Sequence, residues 1–168
     1  MSQLEKRVGR QLEWRRERVF SHRSTLYDGD EAVATLQLFG LFGRRARFEA
    51  GGTRWIFRRP GLFGMDVIVQ SDVSSEPFAR FRGRWWSGGA LSLPNDRELS
   101  WMRESVMGRR WAFTRGDEPL VRFESHVLSL KSRTWMTVEP AGGRLPEVDL
   151  LAGLGWLLIL RRRKHRSH

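Results

Sequence analysis

The sequence contains no cysteine. That excludes disulfides and thiolate zinc sites, and it suits a reducing compartment. No apolar run follows the charges of the N-terminus, Met1 to Arg7, so a secretory signal is not indicated there. The extended apolar run, Leu150 to Leu160, is eleven residues long. As a helix it covers roughly 16 Å, against about 30 Å of bilayer hydrocarbon, so a transmembrane span is the weaker expectation. Histidines are few, and His22, His126, His165 and His168 include no pair at metal-ligand spacing. No Gly-rich loop leads from a strand into a helix with Lys-Ser or Lys-Thr, and no serine stands in a nucleophile elbow. The carboxylates are scattered over turns and strand starts, which leaves open a pair assembled by folding. The expectation is a cytoplasmic, non-catalytic protein with no metal or cofactor. Arg115-Gly116-Asp117 spells an adhesion tripeptide, but it falls where a hairpin needs its turn.

What is present points to one globular domain. The chain has 168 residues, 40% of them hydrophobic and 11% aromatic. The net charge is +11, of which Arg161, Arg162, Arg163, Lys164 and Arg166 supply five, leaving +6 elsewhere. Such an excess favours anionic partners: acidic lipid, nucleic acid or acidic protein. The basic residues are nearly all arginine, which base composition alone can produce.

Three markers recur in the same order at a spacing of about 45 residues. The first is Trp followed closely by Arg: Trp14-Arg15-Arg16, Trp55-Ile56-Phe57-Arg58 and Trp101-Met102-Arg103. The second is an acidic residue opening an apolar strand, at Glu31, Glu76 and Glu118. The third is an alternating stretch, at Arg45 to Phe48, Ala90 to Leu93 and Arg133 to Val138. Each repeat predicts four short strands punctuated by turns such as Asp28-Gly29, Gly51-Gly52, Gly88-Gly89 and Pro94-Asn95-Asp96. An open sheet of about twelve strands leaves long edges exposed, so closure into an antiparallel barrel is expected, with a three-bladed propeller-like array as the alternative.

After Pro140 to Pro146 the pattern changes to a helix, expected at about 147–162. Glu147 and Asp149 stand at its start and the basic run at its end, as the helix dipole favours. Its apolar residues, Leu150, Leu151, Leu154, Trp156, Leu157, Leu158 and Leu160, surround the axis, so it needs burial on every side. A barrel of twelve strands is too wide for its own side chains to fill, and the helix fits that interior. Gly153 and Gly155, each costing about 1 kcal/mol in a helix, predict close approach of the wall. The organisation expected is an N-terminal arm at 1–11, a barrel with its helix at 12–163 and a basic tail at 164–168.

Twelve antiparallel strands, motifs such as Trp55-Ile56-Phe57-Arg58-Arg59, and a final apolar helix ending in arginines resemble the tubby C-terminal-like fold. Within it, bacterial relatives of LURP-one-related proteins and phospholipid scramblases look most similar. The resemblance spans roughly Leu12 to Arg163. It implies a barrel around a buried helix and, in some members, binding to phosphoinositides or membranes.

The connections alternate in character. One set has apolar tips: Val19-Phe20, Leu41-Phe42, Leu62-Phe63, Trp85-Trp86, Val106-Met107 and Val127-Leu128. The other set is polar. In an up-and-down barrel the two sets lie at opposite mouths, and the helix brings its basic end out beside the apolar tips. That predicts a membrane-docking face made of Phe20, Phe42, Phe63, Trp85, Trp86, Arg161, Arg162, Arg163, Lys164 and Arg166. Alternatively the tips fold inward and plug the barrel, and the basic run merely caps the helix. A protein-interaction module is the second functional expectation. A nucleic-acid binder is the third, because Trp interleaved with Arg also suits cross-strand packing.

Overall fold

The computed structural model describes residues 2–17, 22–61, 64–84, 88–105, 109–126 and 133–166, without the side chains of Phe42, His126, Lys164, His165 and Arg166. Twelve strands run in chain order: β1 (Gln11–Arg16), β2 (Arg23–Asp28), β3 (Glu31–Phe39), β4 (Arg45–Ala50), β5 (Thr53–Arg58), β6 (Val67–Ser71), β7 (Ala79–Arg84), β8 (Gly88–Leu93), β9 (Arg97–Arg103), β10 (Arg110–Arg115), β11 (Glu118–His126) and β12 (Arg133–Val138). Each pairs antiparallel with its neighbours in sequence, and β1 closes the ring on β12 with Gln11 opposite Thr137 and Trp14 opposite Thr134. The closed barrel leaves no edge to aggregate, which separate blades would not achieve.

The repeat is visible in the register. Between β2 and β3 the ladder slips so that Val33 has no opposite residue, and between β10 and β11 Leu120 takes the same place. Each extra residue follows two positions after the acidic residue that opens its strand, and both are buried. The bulges sharpen the local twist that bends strands around a barrel.

Inside the ring lies α2 (Val148–Arg166), reached from β12 through the short α1 (Pro140–Gly143). Leu150, Leu151, Leu154, Trp156, Leu157, Leu158 and Leu160 are all buried, at 9% exposure or less. The inward faces of the strands supply their neighbours, with Leu12 and Trp14 on β1, Ala46, Phe48 and Ala50 on β4, and Phe81 on β7 all buried. Trp156 stacks on Trp14, ring centroids 5.6 Å apart and planes 3° from parallel. The two glycines answer to opposite walls. A Cβ on Gly153 would meet the Phe48 ring at 2.6 Å, and one on Gly155 would overlap the Phe123 ring. Two residues at about 100° each put these contacts on opposing sides of the axis. The helix is gripped between β4 and β11.

The helix does not stop near residue 162. It continues through Arg166, so most of the basic run expected as a tail is its last turn. Arginine forms helix well, and cations are favoured at a helix C-terminus. At the N-terminus residues 2–11, most of the segment expected as an arm, are joined to the barrel. Leu4 is fully buried, a 3-10 turn spans Glu5–Arg7, Arg7 pairs with Asp28 and Glu31, and the Gly9 N–H donates to the Val138 carbonyl. No described helix is long and apolar enough to cross a membrane, a statement that does not bear on membrane β-barrels.

Candidate functional site at the basic mouth

Antiparallel strands bring alternate connections to opposite mouths of the barrel. The helix enters at the mouth holding Asp28-Gly29 and Asn95-Asp96, and it ends at the mouth holding the Leu41–Gly43 turn. The charges divide between the two mouths. At the exit mouth eight of the twelve strands begin or end on arginine: Arg16, Arg23, Arg45, Arg58, Arg84, Arg103, Arg110 and Arg133. At the entry mouth three strands begin or end on Asp28, Glu31 and Glu118 and only two on arginine, Arg97 and Arg115, and the connections there carry Asp30, Asp72, Glu76, Asp96 and Asp117. The helix repeats the polarity, with Glu147 and Asp149 at one end and Arg161 to Arg163 at the other.

The helical arginines are held by the wall. Arg161 is only 7% exposed and donates to the backbone carbonyls of Gly64 and Asp66 at 3.1 and 3.3 Å. Arg162 lies over the Trp111 ring, 4.6 Å from its centroid. Arg163 lies over Trp156 and donates to Ser125 Oγ and Thr134 Oγ1 at 3.1 and 2.8 Å. Burial is the first cause that pushes Arg163 down to about 10, and Arg16 nearby adds to it.

Beside Arg161 the ladder between β4 and β5 runs one step past its last paired residues. The Arg59 N–H donates to the Arg44 carbonyl at 2.9 Å. Strand alternation from Phe57 turns Arg59 toward the interior. Arg44, Arg59 and Arg161 line one recess of about 10 Å³, whose apolar floor is Phe57, Val67 and Leu157. Arg45 and Arg58 also line it, with Gly43 and Ala46. Burial pushes the Arg161 guanidinium down to about 9, with repulsion from Arg59 second and the Asp66 charge opposing. Arg59 is also lowered, by burial first and then by Arg44. Asp66 is itself exposed, and its carboxylate accepts from the Gly83 N–H.

The entry mouth is the chemical opposite. Asp149 is pushed up to about 6 by burial, against a hydrogen bond from Ser2, with the Glu5 charge raising it further. Glu147 forms a close ion pair with Arg97, which ties the helix start to β9.

Of the residues expected to dock, Phe20, Phe63, Trp85 and Trp86 lie outside the described residues, as do Val19, Leu62, Val106, Met107, Val127 and Leu128. The side chains of Phe42, Lys164 and Arg166 do too. Leu41, at one of the six apolar tips, is 74% exposed. Arg161 does not offer itself to a flat surface, because any anion it meets must enter the recess. The arginine ring and the pair Arg44 and Arg59 escaped the sequence analysis. The signal was there, since strand-terminal arginines gather at one mouth once strand direction is followed. Among the described residues no group of three or more His, Asp or Glu converges to hold a metal ion. Comparison of the chain with family models, with curated proteins and with solved structures found no match.

Proposed function

We propose that this chain is a non-catalytic binding module that docks peripherally on anionic membrane lipid through its basic mouth. The observation that carries the proposal is the separation of charge along the barrel axis, with arginine at eight strand ends around one mouth. A body polarised in this way turns its positive end toward an anionic surface, and each basic residue near that surface contributes about 1 kcal/mol. Exposed Leu41 gives the same mouth an apolar tip able to enter the interfacial region. The resemblance to tubby-like and scramblase-like proteins favours the same role, on a cytoplasmic leaflet.

A protein partner is the second function in view. It rests on a recess of about 290 Å³ in the outer wall, where Arg110 and Arg122 lie among Glu104, Glu124 and Glu139 beside Trp135. Among the described residues nothing specifically favours the nucleic-acid alternative, because Trp14, Trp101, Trp111 and Trp156 are buried and the exposed large apolar residues there, Val8, Leu41, Val73 and Met102, include no aromatic.

Sedimentation with vesicles tests the proposal. Retention is expected on vesicles containing acidic lipid at low salt, declining as salt screens the mouth, with none on neutral vesicles. Equal retention on acidic and neutral vesicles, or none on either, would refute docking through charge.

A further inference from the structure

Resting on that docking role, we propose that Arg44, Arg59 and Arg161 form a receptor for a phosphate monoester, and that the lipid recognised carries one as its headgroup. The three arginines line one recess of about 10 Å³, and the Arg59 charge acts on Arg161 as the Arg44 charge acts on Arg59. The Nε atoms of all three are buried with no hydrogen-bond partner. Among the described residues no carboxylate pairs with any of them, and Arg161 bonds only neutral carbonyls. By contrast, four arginines of the wall, Arg15, Arg97, Arg110 and Arg115, each sit on a glutamate.

Like charges that converge with only the exposed, unpaired Asp66 to offset them destabilise the fold, so a purely structural role would be better served by apolar residues or by a paired carboxylate. The apolar floor lowers the local dielectric and strengthens attraction for an entering anion. At about 10 Å³ the recess admits one oxygen atom. A tetrahedral phosphate can insert one oxygen between the buried guanidinium groups and keep the others at the opening, beside Arg45 and Arg58. A monoester has three terminal oxygens and up to two charges to meet three arginines. A phosphodiester has two oxygens and one charge. Guanidinium forks match phosphate oxygens in paired hydrogen bonds, a geometry that lysine would not supply.

The test uses the full chain with phosphatidylcholine vesicles containing either phosphatidic acid or phosphatidylglycerol, at matched surface charge. Inorganic phosphate is added separately in thermal unfolding. The wild type is expected to prefer phosphatidic acid by about tenfold, the equivalent of one charge-assisted pair. Phosphate is expected to raise its unfolding temperature and to compete for the vesicles. Arg59→Gln and Arg44→Gln, both half-buried and checked for folding by circular dichroism, should lose the preference and the response to phosphate while still binding phosphatidylglycerol. Arg115→Gln, at the entry mouth and away from the recess, should keep both. Equal retention on the two acidic lipids with no response to phosphate would overturn the receptor and leave docking standing. A phosphate response without retention on any vesicle would overturn the lipid origin of the group and the docking role with it.

Discussion

Gly155→Ala adds one methyl group where the ring of Phe123 already stands. In an exposed helix the change would stabilise by about 1 kcal/mol, because alanine is the better helix former. Here the new Cβ overlaps two ring carbons, Cζ and Cε2. Phe123 has little room to yield. It is 1% exposed and sits edge-on to Trp101, ring centroids 5.6 Å apart. Nor can the helix shift freely away, since Phe48 presses on Gly153 from the other wall. Overpacking of this kind costs about 1–3 kcal/mol, and the overlap places it in the upper part of that range. After the gain in propensity the net loss is about 1–2 kcal/mol. For a chain of this size that is a fall of about 2–8 °C in unfolding temperature, measurable by far-UV circular dichroism. Phe123→Leu in the same background should recover part of the loss, giving a favourable coupling in a double-mutant cycle. A rise in unfolding temperature for Gly155→Ala, as on an exposed helix, would refute the claim that the wall grips the helix at this residue.

Two further predictions concern the entry mouth. The folded protein holds the Asp149 proton to about pH 6, whereas an unfolded aspartate releases it near 4, so between these values the native state binds the extra proton. Stability should therefore fall as pH rises through that window, by up to about 3 kcal/mol, and Asp149→Asn should remove this part of the pH dependence in urea titrations. An unchanged profile in that variant would contradict the assignment. Arg97→Gln should destabilise the fold, because it leaves the Glu147 carboxylate, whose side chain is 6% exposed, without its cation. Pairing that change with Glu147→Gln in a double-mutant cycle should reveal the coupling, and simple additivity would argue against it.

The barrel was legible because its signals are local and periodic. Breakers every few residues marked the hairpins, the threefold repeat gave the strand number, and closure followed from the cost of open edges. The buried helix was legible from Leu150 to Leu160, which has no polar face, and even Gly153 and Gly155 anticipated the approach of the wall. The end of the helix was less so, because basic residues suit both a final helical turn and a solvated tail, and only the helical backbone of 164–166 distinguishes them. The recess was hidden for a different reason. Arg44 and Arg59 are fifteen positions apart in sequence, Arg161 is far from both, and only the β4–β5 register together with the height of the helix inside the ring brings the three together.

Enclosure of the helix underlies the rest, and the absence of native cysteine makes it directly testable with single thiols. Ala152 is fully buried on the helix, and Val73, 90% exposed on a turn, serves as the control. The Ala152→Cys variant is predicted to resist a water-soluble maleimide under native conditions and to react once denaturant is added, whereas Val73→Cys reacts at once. Labelling of both native variants at similar rates would place the helix outside the ring of strands and contradict the account.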